Sequence, residues 1–250
     1  MEKYLIHPQW VVEYERVLGL HWPVVYWLVP DEMTCRVLCD GKAKLHEIWI
    51  NGTTYDNLDN GLPDIVHELC HCALAERIDS AFSTVLFTEE WNKNADRDSA
   101  KFNQLARMLY FAWSHVDIWV NDLRFAHWPN LALQDQTTFA NIIIGFVKRQ
   151  RFEIFEKPEI LLGLAQYQAE RSRCRSNSPD LFSFLRVKKI AVDKQILELA
   201  KHFELLPRLE FNAEKDLKVL EQSVQETAKL LNLSIKPRLV WENKWVWSLD

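Results

Sequence analysis

Glycine is scarce in this chain, at six residues in 250. That scarcity disfavours glycine-rich nucleotide-binding loops and all-β folds built from many tight turns. Excess positive charge is missing too, since the formal net charge is -5. A mildly acidic chain offers no field to hold DNA or RNA, so no nucleic-acid partner is expected. No apolar run approaches the roughly 20 residues of a membrane span. The start, Met-Glu-Lys-Tyr-Leu-Ile-His-Pro, lacks the basic opening and apolar stretch of a signal peptide. The expectation is a cytoplasmic protein with no membrane partner. Five cysteines, Cys35, Cys39, Cys70, Cys72 and Cys174, show no paired zinc-knuckle spacing. They read as free thiols packed as small hydrophobes.

What is present is a globular composition, 48% hydrophobic and 26% charged, enough for a substantial core. Eleven Trp, thirteen Phe and six Tyr predict a core filled by large rings, with an aromatic-lined cleft as the sharper reading. Periodicity predicts a helix over 9–18 and strands over 34–39 and 45–50. Residues 24–29 fit a short strand or a helical turn. Asn51-Gly52 is a hairpin-turn signal, with Thr53–Tyr55 as a return strand. Pro63 and Asp64 suit the first turn of a helix over 63–79. Further helices are predicted over 100–125, 135–151, 157–173, 188–204 and 212–231, and a strand within the Trp-rich tail at 240–249. The fold class expected is α+β, mostly α, with a small N-terminal sheet and a helical C-terminal part. The loop at 171–179 carries Arg171, Arg173 and Arg175 and reads as solvated rather than anion-gripping. It suggests a domain over 1–175 and a helical subdomain over 176–250, or else a single domain.

One motif carries chemistry: His67-Glu68-Leu69-Cys70-His71, within a predicted helix. Residues four apart share a helix face, so His67 and His71 can present two imidazoles to one Zn²⁺. Glu68, beside His67, can reach a metal-bound water without being a ligand. Zinc lowers the pKa of such a water, and Glu68 takes its proton as general base. Cys70 and Cys72 flank His71 and read as helix packing, because a sulfur ligand would close the position that catalysis needs. His46 and His127 read as packing or hydrogen-bonding histidines.

The segment Asp64-Ile-Val-His67-Glu68-Leu-Cys-His71 resembles the active-site helix of zincin metallopeptidases. The resemblance covers residues 45–79. It implies a zincin-like core, one Zn²⁺ per chain, a glutamate base and a peptide or protein substrate. It also implies a sheet whose edge strand pairs with that substrate, and Leu45–Ile50 is placed to be that strand. Leu74 and Arg77 stand where the metzincin extension needs Gly and His, which excludes that subfamily. The gluzincin pattern puts the third ligand on a second helix. Here that helix holds Ser114-His115-Val116-Asp117-Ile118-Trp119-Val120-Asn121-Asp122. Asp117-x-x-x-Asn121 also resembles the second motif of a bacterial metallopeptidase-like family often fused to von Willebrand A-like domains. Ser114 departs from its usual Ala, and no von Willebrand-type acidic motif follows.

Asp117, Asn121 and Arg124 share one helix face with Tyr110 and Ser114, whereas His115, Trp119 and Asp122 lie nearly opposite. Either Asp117 is the third ligand with Asn121 bracing it, or His115 is, with Asp122 behind it. The first is favoured. Glu76, Glu89 and Glu90 are further candidates, and a solvent-facing stripe is the plain reading of Asp117. Arg124 or Tyr110 is a candidate oxyanion stabiliser. The function expected is a zinc-dependent metallopeptidase, a hydrolase using zinc-activated water and Glu68. The alternatives are an inactive zincin-like zinc-binding or regulatory protein, and a helical interaction module docking through Trp241, Trp245 and Trp247. The sequence leaves oligomeric state open.

Overall fold

The computed structural model describes residues 3–33, 35–82, 115–242 and 245–249. The fold is α+β and mostly helical, with a four-stranded mixed sheet and a two-stranded sheet. It divides into two units built from discontinuous segments. Unit 1 comprises Met1–Ala95, Leu209–Glu221 and Pro237–Asp250; unit 2 comprises Asp96–Arg208 and Gln222–Lys236. The division expected at 175/176 falls inside unit 2. Among the described residues, no helix is long and apolar enough to cross a membrane.

Unit 1 opens with β1 (Tyr4–Ile6), α1 (Val12–Leu18), β2 (Val24–Val29), β3 (Arg36–Asp40) and β4 (Leu45–Asn51). Sheet order is β1-β2-β4-β3, with β2 and β4 parallel and the other pairs antiparallel. Period-two alternation sets the buried face. His46, Ile48 and Ile50 of β4 are buried, as are Val37 and Cys39 of β3. Helix α3 (Leu58–Arg77) packs against these two strands. The remainder of unit 1 includes the hairpin of β5 (Pro237–Trp241) and β6 (Trp245–Leu249). Within that hairpin Trp247 is buried, whereas Trp241 is exposed and meets Trp245 edge-on.

Three expectations are corrected in unit 1. Leu45–Ile50 is not an edge strand: β4 is paired on both sides, by β2 and by β3. Chain connectivity leaves a gap between β2 and β3, and β4 fills it. Thr53–Tyr55 does not return as a strand but lies in the short helix α2 (Gly52–Asp56). The Asn51 side chain caps that helix, accepting from Thr54 N at 2.7 Å, so Asn51-Gly52 starts a helix instead of turning a hairpin. Helix α3 begins at Leu58, five residues before Pro63, which therefore sits inside it.

Unit 2 contains α4, described over residues 115–127, then α5 (Pro129–Lys148), α6 (Pro158–Arg173), α7 (Leu181–Val187) and α8 (Lys194–Glu204). Ala140, Ile143 and Val147 of α5 bury with Leu164 and Tyr167 of α6 and Leu181 and Leu185 of α7. Helix α7 was not expected; Asp180 caps it, accepting from Ser183 N at 2.9 Å. Helix α9 (Ala213–Leu230) contributes residues to Glu221 to unit 1 and from Gln222 to unit 2. Two of the three arginines near the 171–179 loop are used internally. Arg171 Nε donates to Ser178 O at 2.8 Å, and Arg173 pairs with Asp122.

Candidate metal centre

Helix α3 carries the motif, and its apolar side faces the sheet. Ile65, Val66, Leu69, Cys72 and Ala73 are all fully buried, which fixes the rotation of the helix. That rotation leaves His67 half-buried and His71 buried. Their Nε2 atoms lie 3.2 Å apart, with the ring planes at 74°. The far nitrogen of His71, Nδ1, lies 3.3 Å from the Phe82 carbonyl oxygen. An N–H there donates to that carbonyl and leaves Nε2 as the lone-pair nitrogen. Glu68, the next residue after His67, is buried.

Unit 2 supplies the residues of α4. Asp117 is half-buried, and Asn121 and Arg124 on the same face are buried, so this is not a solvent stripe. Asn121 Nδ2 donates to Glu170 Oε1 at 2.5 Å. Glu170, on α6, has its carboxyl pushed up to about 7 because burial disfavours the charged form. The Asn121 hydrogen bond and the Arg124 charge oppose that rise. Glu170 had no signal in the sequence: it lies 49 residues from Asn121 and belongs to no motif. Arg124 pairs with Asp135.

The alternative pair on α4 is engaged elsewhere. His115 is fully buried, with its Nε2 2.9 Å from Thr227 Oγ1 and its ring edge-on to Phe203. Asp122 pairs with Arg173 and Arg208. Glu76 accepts from His21 N and Trp22 N and binds His46. Tyr110, Glu89 and Glu90 lie outside the described residues.

Within unit 1, one set of three side chains among the described residues is able to hold a metal ion. It is made of Cys39, His46 and Cys72; the His67 and His71 pair also belongs to unit 1, whereas Asp117 belongs to unit 2. In the sequence alone, Cys39 and His46 fall in no metal-binding spacing. The pairing of β3 with β4 puts them opposite each other, a neighbourhood that linear spacing does not record. Cys72 donates to Cys39 and holds its thiol below the usual range, whereas burial raises Cys72.

No family model matches this chain, and no curated protein or solved structure matches it either.

Proposed function

We propose that this protein is a zinc-dependent hydrolase of the zincin type acting on peptide bonds. In this reading His67, His71 and Asp117 hold one Zn²⁺ and Glu68 is the general base. The observation that carries it is the 3.2 Å approach of the two Nε2 atoms. Two Zn–N bonds of about 2.0–2.1 Å meeting near the tetrahedral angle separate their nitrogens by about 3.3 Å. The pair therefore has the spacing of two ligands on one ion, and the Phe82 carbonyl sets the tautomer of His71 that coordination needs. A carboxylate as third donor leaves a fourth position open, as hydrolysis requires.

When bound, Zn²⁺ supplies Lewis acidity that brings the pKa of a water towards neutrality. Glu68 follows His67 directly in the sequence, the position that the general base occupies in the His-Glu-x-x-His pattern. It takes a proton from the attacking water and passes it to the leaving amine. Asn121, on the Asp117 face of α4, is tied to Glu170 of α6. Among the described residues, the strands with an unpaired side for a peptide to join are β1 and β3, because β4 is paired on both sides.

Metal analysis of protein purified without chelator tests this reading. Changing His67→Ala together with His71→Ala is expected to lower zinc content by one equivalent per chain. Unchanged content refutes the site.

A further inference from the structure

We infer that Cys39, His46 and Cys72 form a second metal site, buried in unit 1, for a thiophilic cation of which Zn²⁺ is the reference case. The site is separate from the histidine pair and does not rest on the hydrolase reading.

Backbone pairing builds two of its three corners. Cys39 on β3 stands directly opposite His46 on β4, and both belong to the buried face of the sheet. The third corner comes from α3, which packs on those strands and points the fully buried Cys72 at them. The three ligand atoms lie within 4.8 Å of one another. Tetrahedral Zn–S bonds of about 2.3 Å and Zn–N bonds of about 2.0–2.1 Å need separations of about 3.6–3.8 Å. The donors are thus gathered to within about an ångström of a coordination sphere, a gap that small side-chain rotations close.

His46 is oriented as a ligand. Its Nε2 lies 3.0 Å from Glu76 Oε1, and Glu76 is itself anchored by His21 N and Trp22 N at 2.9 Å each. Trp22 stacks on the imidazole at 5.0 Å with the planes 20° apart. This carboxylate–histidine arrangement is the one that metal-binding imidazoles use to fix their tautomer. It leaves the buried Nδ1 facing the Cys39 thiol, its neighbour on the paired strand.

The surroundings separate a metal from other uses of the same atoms. Cys39, His46 and Glu76 are the residue types of a cysteine nucleophile with its base and orienting acid. His46 and Cys72, however, are wholly inaccessible, so no substrate carbonyl reaches them. A bare cation needs only donors. Binding exchanges two thiol protons for one divalent ion, and two thiolates with one neutral imidazole then balance its charge in the low-dielectric interior. The ion would clamp the β3–β4 hairpin to α3 one residue after His71.

Cobalt spectroscopy decides the matter. Reduced, metal-free wild-type protein is titrated with Co²⁺ under anaerobic conditions and read for thiolate-to-cobalt charge-transfer absorption. The expected result is one saturating equivalent with that absorption, displaced by Zn²⁺. The signal should persist in the His67→Ala, His71→Ala protein and vanish in Cys39→Ala and Cys72→Ala variants whose circular dichroism matches wild type. Should those variants fail to fold, the wild-type titration decides alone. Absence of the charge-transfer band in wild type overturns the inference, and so does a band that survives both cysteine changes. A Cys39–Cys72 disulfide in protein isolated without reductant, refractory to metal after reduction, overturns it as well. A missing band with zinc still lost from the histidine variant would sink this site and leave the hydrolase reading standing.

Discussion

Replacing Glu170 with Gln should make the metal-free protein more stable at alkaline pH and leave it nearly unchanged in mild acid. Glu170 is buried, and removal from water is the largest influence on its carboxyl, ahead of the opposing Asn121 hydrogen bond and Arg124 charge. The Asp117 charge adds to the rise. Its pKa moves from an ordinary 4.5 to about 7. At about 1.4 kcal/mol per pH unit, that difference corresponds to about 3 kcal/mol. The folded chain holds this proton more tightly than the unfolded chain does. Stability is therefore favoured below 4.5 and is lost as pH rises through the interval to about 7. Gln cannot ionise, yet it keeps an oxygen for the Asn121 amide, so the variant escapes the loss. Urea unfolding of chelator-treated protein near pH 5 and near pH 8 measures the effect. The midpoint of Glu170→Gln should exceed that of wild type by about 1 M at the higher pH and by much less at the lower. An equal difference at both pH values, or a variant weaker than wild type near pH 8, would refute the assignment of a neutral buried acid behind Asn121.

Other substitutions probe the remaining links. Glu68→Gln should keep zinc and lower peptide hydrolysis by a factor on the order of 100 or more; loss of the metal would make Glu68 a ligand instead. Asp117→Ala should lose one equivalent of zinc per chain, measured by metal analysis after dialysis. His115→Ala should keep zinc but cost about 1–3 kcal/mol in a thermal melt, because the Thr227 hydroxyl loses its partner in the core. The reverse pattern would move the third ligand to the His115 face. Gly61→Ala should destabilise unit 1 by about 3 kcal/mol, since an added Cβ would sit 2.2 Å from the Thr54 carbonyl oxygen, a backbone atom that cannot swing aside. A melt identical to wild type would contradict that packing.

The sequence by itself determined what short-range physics controls. His67 and His71 are four residues apart, and any helix there brings their rings to one side, as the 3.2 Å approach shows. Helix α6, predicted over 157–173, and helix α9, predicted over 212–231, appear within a residue of those bounds because apolar period and terminal signals agree. Fold class followed from the same patterns. Tertiary structure alone decided which elements meet. Whether Leu45–Ile50 lies at an edge depends on where β2 and β3 pair, and no local preference of β4 records that. Asn51-Gly52 suits a hairpin turn and a helix cap alike, and the Asp31 carboxylate that accepts from Thr53 N at 2.6 Å, 22 residues away, favours the helix. The same holds for the partners of the candidate sites. Glu170 reaches Asn121, and Cys72 reaches Cys39 and His46, only because packed helices and paired strands close long loops. Those contacts are set by the burial of whole faces, a property of the folded chain that a single residue's neighbours in sequence do not encode.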